Sequence, residues 1–251
     1  MYQDERMEAI LHYLKEHDRV DMETICKMNQ VSRDTARRDL VKLEEDGKIV
    51  RLRGGAKSPT LFHDVSDYDQ RLQKASEEKK RIGKYAAGLI QDGDHLLLDA
   101  STTVQFLAEY IHTKDNVVVT NSIDIAGILS KKEDTFIHLL GGLLNNSHRS
   151  IYGSRTIQHL ADFKVNKLFL GACGISSDGL TIPFEEEGFL LKEMINRSDQ
   201  VILLADYSKF NRTYFQKVCG LNKIDILVTD QEIEPKLKKQ LDQYEIETIA
   251  L

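Results

Sequence analysis

From Asp4 to Leu43 the apolar residues recur at helical spacing, whereas beyond Leu96 they gather in short unbroken runs, so the period of the pattern divides the chain. Met7, Ile10, Leu11 and Leu14 form one stripe of a first helix. A short extended piece follows at Arg19 and Val20, and Asp21 is placed to cap a second helix that turns Ile25 and Met28 to the same core. Asn29 and Gln30 make a tight connection. Ser32 stands at an N-cap position, so a third helix is expected from about Arg33, with Ala36, Leu40 and Leu43 inward and Asp34, Arg37, Arg38 and Val41 opposite. Gly47 is expected to end it, and KIVRLRGGAK reads as a strand, a Gly54-Gly55 turn and a second strand.

Residues 58–75 contain Pro59 and scattered polar and aromatic positions without a period, which reads as a linker. Regularity returns at Ser76, with a helix that turns Ile82, Ala86, Leu89 and Ile90 inward. Strands and helices then alternate: HLLLDA, a helix near 103–111, VVVTN, a helix near 123–130, TFIHLLGG, a helix near 154–161, KLFLGA, a helix near 185–197, VILLAD and ILVTD. Apolar strands separated by helices imply a mainly parallel sheet covered on both faces. The expected organisation is a domain over 1–57, a linker over 58–75 and an α/β domain over 76–251.

The length of 251 residues suits two ordinary domains. A composition of 41% hydrophobic and 29% charged residues is that of a folded soluble chain, and no uncharged run is long enough to span a membrane. MYQDERMEAI lacks the basic start of a signal peptide, so a cytoplasmic location and no membrane partner are expected. Cys26, Cys173 and Cys219 are odd in number and far apart, with no metal-ligand spacing; inert thiols and no cofactor are expected.

Charge changes the picture once it is divided. The net −6 argues against a nucleic-acid partner, yet residues 1–28 carry four basic and seven acidic side chains and residues 29–57 carry eight and five. The cationic stretch coincides with the third helix and the hairpin. Arg37 and Arg38 on an exposed helix face, flanked by Arg33, Thr35 and Lys42 and followed by Arg51, Arg53 and Lys57, make a winged helix-turn-helix with a phosphate-binding face. Taken alone, the Arg-Arg-Asp run would read as a solvated face making surface ion pairs; the three-helix-plus-hairpin order favours double-stranded DNA.

A parallel sheet binds ligands at the carboxyl ends of its strands. Those ends read Asp99-Ala100-Ser101-Thr102-Thr103, Thr120-Asn121-Ser122, Gly141-Gly142, Gly171-Ala172 and Asp206-Tyr207-Ser208-Lys209. Hydroxyls at a helix start and Lys209 suit an anion, while Asp99 and Asp206 suit sugar hydroxyls. Each piece is also explained as a helix cap, a turn or a surface lysine. Five such endings on one side of a sheet point to a phosphorylated polyol or sugar.

VSRDTARRDLVKLEEDGKIVRLRGGA resembles the DNA-binding signature of the DeoR family of bacterial regulators, and DASTT, VVTNS, LLGG, FLGACGISSDGL and LLADYSKF resemble successive blocks of its effector domain. The resemblance implies a sensor related in fold to ribose-5-phosphate isomerase, a phosphorylated-sugar inducer from a lactose, galactose or fructose pathway, and a repressor; twofold half-sites imply an even-numbered homo-oligomer, a dimer or tetramer. It makes Ser32, Thr35, Arg37, Arg38 and Arg53 DNA contacts. It puts Asp99, Ser101, Thr102 and Thr103 in the phosphate loop, Asn121 and Gly141 at the pocket border, and Asp206 and Lys209 as its closure. Glu186 and Glu187 match an acidic pair, Lys192 is the nearest counterpart of a helix lysine, and Arg149 is a further anion contact. The alternative is an isomerase-type enzyme with Asp99 or Glu187 as base and Lys209 on phosphate.

Overall fold

The computed structural model describes residues 2–17, 19–46, 48–57 and 67–251, and the chain divides into two compact units, Met1–His63 and Asp64–Leu251. Within the first, α1 (Gln3–His17), β1 (Arg19–Asp21), α2 (Met22–Asn29), α3 (Arg33–Glu45), β2 (Val50–Leu52) and β3 (Gly55–Lys57) follow in order. Met7, Ile10, Leu14, Ile25, Ala36, Leu40 and Leu43 share one core, as their spacing requires. Asp21 accepts from the Thr24 amide at 2.7 Å and Ser32 from the Thr35 amide at 3.3 Å, so both caps form. Gly47, expected as the terminator of α3, lies outside the described residues.

The wing has a third strand that the hydrophobic pattern does not announce. β1 pairs antiparallel with β3, giving the order β1-β3-β2. A Cβ on Gly55 would come within 2.1 Å of the Val20 carbonyl oxygen, so this approach of the two strands requires glycine.

The second unit opens with α4 (Tyr68–Gln73) and α5 (Ser76–Ala87). It continues through β4 (His95–Leu98), α6 (Thr102–Tyr110), β5 (Asn116–Thr120), α7 (Ile123–Leu129), β6 (Thr135–Leu139), β7 (Leu143–Asn145), β8 (Ser150–Tyr152), α8 (Ser154–Leu160) and β9 (Val165–Gly171). The remaining elements are β10 (Gly174–Ser176), β11 (Gly179–Ile182), α9 (Glu185–Asn196), β12 (Ser198–Leu204), β13 (Gln216–Cys219), β14 (Ile226–Thr229), α10 (Pro235–Gln243) and β15 (Glu247–Ala250).

Seven strands form one sheet in the order β15-β14-β12-β9-β4-β5-β6, and every pairing in it is parallel. Two separate apolar clusters cover its faces: Leu97, Leu168, Leu170 and Leu203 belong to one, Leu96, Leu98, Phe169 and Ile202 to the other. Alternate residues of uninterrupted apolar strands therefore feed opposite cores. The β7-β8 hairpin and the antiparallel trio β10-β11-β13 are additions of short strands outside the alternating pattern.

Part of the stretch that reads as a linker is ordered structure. Residues 58–66, including Pro59, lie outside the described residues, but α4 packs in the second unit with Tyr68 fully buried. The Tyr68 hydroxyl donates to Gln105 of α6, and its amide donates to the Ser147 carbonyl at 2.9 Å. Buried Lys79 of α5 donates its ammonium to the carbonyls of Arg71 and Lys74. No helix among the described residues is long and apolar enough to cross a membrane.

Candidate functional site

Two surfaces concentrate the candidate chemistry, one in each unit. On α3 the side chains of Arg33, Asp34, Arg37, Arg38 and Lys42 are exposed, and Thr35 is half-buried beside the Ser32 cap. Among the described residues no carboxylate pairs with Arg37 or Arg38, so their charges are uncommitted. Asp39, the acid of the Arg-Arg-Asp run, turns inward to Arg6 of α1 instead. Arg51 of the wing is partly engaged, with its guanidinium 3.4 Å from Glu44 and its amide donating to the same carboxylate, while Arg53 stays exposed.

In the second unit a cleft opens at the carboxyl ends of β4, β5 and β9. Its polar lining comes from Arg71, Asp99, Ser101, Asn121, His148, Ser150, Thr181 and Glu187, and its apolar wall includes Cys173, Ile182, Pro183 and Phe184. The free volume is about 60 Å³, well below the roughly 300 Å³ at the small end of ligand sites. A sugar-sized guest therefore requires the cleft to widen.

The strand ends are locked together by backbone-directed bonds. Ser101 caps α6 through the Val104 amide at 3.1 Å. Asn121 accepts from the Ala100 amide at 3.1 Å and donates to the Ile151 carbonyl at 3.2 Å. Asp99 accepts from the Gly171 amide at 3.1 Å, and Gly171 lies so close to Ser101 that a Cβ there would reach the Ser101 Cβ at 2.2 Å.

Burial pushes the Asp99 carboxyl up to about 6; the Gly171 amide opposes that rise and the neighbouring Glu187 charge adds to it. Glu187 Oε1 meets His148 Nδ1 at 2.9 Å and the Ser150 hydroxyl at 3.4 Å. The His148 ring leans on Phe184 with centroids 5.0 Å apart. Arg71 stacks near Tyr68, and its Nε is buried with no hydrogen-bond partner among the described residues. A buried donor on a lining guanidinium is a group an anion satisfies. Burial also raises the Cys173 and Cys219 thiols to about 11, which leaves little thiolate at neutral pH.

Of the residues expected at an effector pocket, Asp99, Ser101, Asn121 and Glu187 come together in this cleft. Thr102 and Thr103 are buried in the first turn of α6 and do not line it. Gly141 borders a different depression with Gly142, Tyr152 and His159, because the chain turns away past β6. Arg149 is held by Asp124 at 3.1 Å and Asp69 at 3.5 Å, away from the lining. Asp206 caps the following turn through the Ser208 amide at 3.1 Å, and Lys209 stands 4.0 Å from it; neither lines the cleft. Lys192 lies over the Phe189 ring.

Sequence reading missed Arg71, His148 and Ser150. Arg71 sits in the stretch that reads as a linker, and the other two in NNSHRS between short strands, where no period marks a buried position.

Residues 6–61 match the family model of the DeoR-like helix-turn-helix domain, and residues 74–231 that of the DeoR C terminal sensor domain. The HTH-type transcriptional repressor GlcR of Bacillus subtilis (strain 168) is 49% identical over 250 residues, covering 100% of this chain and 97% of that protein. The lactose phosphotransferase system repressor of Streptococcus mutans is 31% identical over 242 residues, covering 95% and 96%. Among solved structures, a D-ribose-5-phosphate isomerase in complex with phospho-erythronic acid superposes with a TM-score of 0.40 at 17% identity over 54% of each chain. With both domain models matched in order and relatives aligned from end to end, the chain belongs to the DeoR family of transcriptional regulators.

Proposed function

We propose that this protein is a cytoplasmic transcriptional repressor of a sugar uptake or catabolic operon, released from its operator by a phosphorylated sugar. The names of its relatives, among them a lactose phosphotransferase system repressor and a glycerol-3-phosphate regulon repressor, support the class of regulon. The observation that carries the effector assignment is Arg71, a cleft-lining guanidinium whose buried Nε has no hydrogen-bond partner among the described residues, in a lining that also holds Asp99, Asn121 and Glu187. Arg71 and the Ser101 end of α6 take the phosphate; Asp99, Asn121 and the His148–Glu187 pair take sugar hydroxyls.

Ser32, Arg33, Thr35, Arg37, Arg38 and Lys42 read and grip the major groove, with Arg51 and Arg53 of the wing on phosphate. The protein works as a homo-oligomer, dimer or tetramer, on paired half-sites. The effector favours the arrangement with the cleft widened, and release follows if that arrangement fits the operator less well. The isomerase alternative with Lys209 on phosphate does not fit this cleft, because Lys209 lies outside its lining.

DNA fragments selected by the protein from its own genome supply the operator. Anisotropy titration of a labelled fragment against a panel of hexose phosphates is expected to show release by one of them, which also raises the melting temperature of the free protein. A panel in which no sugar phosphate releases the DNA or stabilises the protein overturns the assignment.

A further inference from the structure

Strand β6 closes one edge of the seven-stranded sheet and, among the described residues, pairs only with β5. Bare edges are templates for further strands, and proteins blunt them with charge, proline or bulges. β6 has none of these. Residues 135–146 read TFIHLLGGLLNN, without one Asp, Glu, Lys or Arg, in a chain in which 29% of residues are charged. Phe136 is 66% exposed and Leu143 64%, and Leu139 is exposed between them. The opposite edge differs: β15 carries exposed Glu247 close to Glu245.

The chemistry of the strip selects its occupant. A twofold contact brings each residue of a patch next to its own copy or that copy's neighbours, so any net charge in the patch repels itself. In a chain of net charge −6 the uncharged β6 edge is compatible with its own copy, while the glutamate-bearing β15 edge is not. An edge strand is also complementary to itself in hydrogen bonding: reversed about a twofold axis, its outward amides meet its outward carbonyls. We propose that β6 pairs antiparallel with β6 of a second copy, joining two seven-stranded sheets into one. Centred on Ile137, that pairing sets Phe136 against the partner's His138 and Thr135 against the partner's Leu139. Leu143, past the Gly141-Gly142 step, extends the apolar contact.

Oligomerisation belongs to the proposed function; the surface that makes it is independent of that reading. Sedimentation equilibrium on the full chain at micromolar concentration is expected to give an even number of copies. A variant carrying Phe136→Asp and Leu139→Asp, both at exposed positions, is expected to lose half of that mass while keeping its melting temperature. A parent that sediments as one chain, whether or not another protein covers the edge in the cell, overturns the proposal. So does a folded variant of unchanged mass.

Where the charged variant fails to fold, a Phe136→Cys/His138→Cys variant decides. The paired Cα atoms would lie about 4.5–5.5 Å apart, within disulfide reach, so mild oxidation is expected to give a reducible covalent dimer. A Glu247→Cys variant on the far edge stays uncrosslinked. Absence of the dimer band for the first variant overturns the contact. Operator release by sugar phosphates is measured separately, so failure here leaves the regulator reading intact.

Discussion

Arg6 of α1 grips both carboxylate oxygens of Asp39 in α3, with Nε 2.8 Å from Oδ2 and Nη2 3.0 Å from Oδ1, and Asp39 has no solvent exposure. Gln3 adds a bond to Oδ1 at 3.1 Å. The pair fixes the rotation of α3 against α1, and with it the direction in which the adjacent Arg38 points. Asp39→Ala is expected to remove the carboxylate that takes both guanidinium bonds, lowering the melting temperature by several degrees and weakening DNA binding. Arg6→Lys keeps the charge but loses the two parallel bonds and should fall between parent and Asp39→Ala. Thermal melts alongside DNA anisotropy check the order of the three.

Arg37 and Arg38 meet no carboxylate among the described residues, so their charge is available to phosphate. Replacing both with alanine is expected to abolish operator binding at physiological salt. Each phosphate contact removed should flatten the plot of log affinity against log salt by about 0.9. The melting temperature and the stabilisation by effector are expected to persist. Unchanged operator affinity would remove these arginines from the interface.

Gly171 has no room for a methyl group. In Gly171→Ala the new Cβ would press on Ser101 Cβ and Oγ at 2.2 and 2.3 Å, where β9 passes the start of α6. Relief requires the strand end or the α6 cap to shift, at a cost of about 1–3 kcal/mol of stability. Urea denaturation measures the loss, and the response to effector should weaken with it. A variant as stable as the parent would mean that the strand end is softer than its geometry implies.

Asp99 makes stability depend on pH with a definite sign. Its carboxyl is raised in the folded state to about 6 from an ordinary 3.8, so the folded form holds its proton more tightly than the unfolded chain. The contribution is present at low pH and is lost as pH rises through the window from about 4 to about 6. At about 1.4 kcal/mol for each tenfold difference in proton affinity, its ceiling is about 3 kcal/mol. Asp99→Asn keeps an acceptor for the Gly171 amide and removes the titration. Its melting temperature relative to the parent is expected to climb across that window and level off above it. A flat difference from pH 4 to 7 refutes the assignment.

The legible parts of the molecule are those with a period. Ala36, Leu40 and Leu43 give the inner face of α3, and Ser32 gives its start. The apolar runs at Leu96–Leu98 and Leu168–Leu170 give central strands, and parallel strands imply that Asp99, Ser101 and Asn121 converge at their carboxyl ends. Asp39 escapes notice because an acid in a charged run reads as solvated, although it sits three residues past Ala36 and four before Leu43, on the buried face. Arg71, His148 and Ser150 carry no such mark; they reach the cleft through tertiary packing of α4, of the loop between β7 and β8, and of the first residue of β8. Short strands such as β10 and β13 hold too few residues for a period of two to show.

The carbonyls at Arg71 and Lys74, tied down by the buried ammonium of Lys79, govern where the protein can be cut. A sensor fragment begun at Ser76 would discard Tyr68 from beneath α6 and Arg71 from the cleft, leaving Lys79 without its acceptors. One begun at Asp67 would retain all of them. The α4 segment at the start of the second unit is thus part of the cleft, not a tether to it.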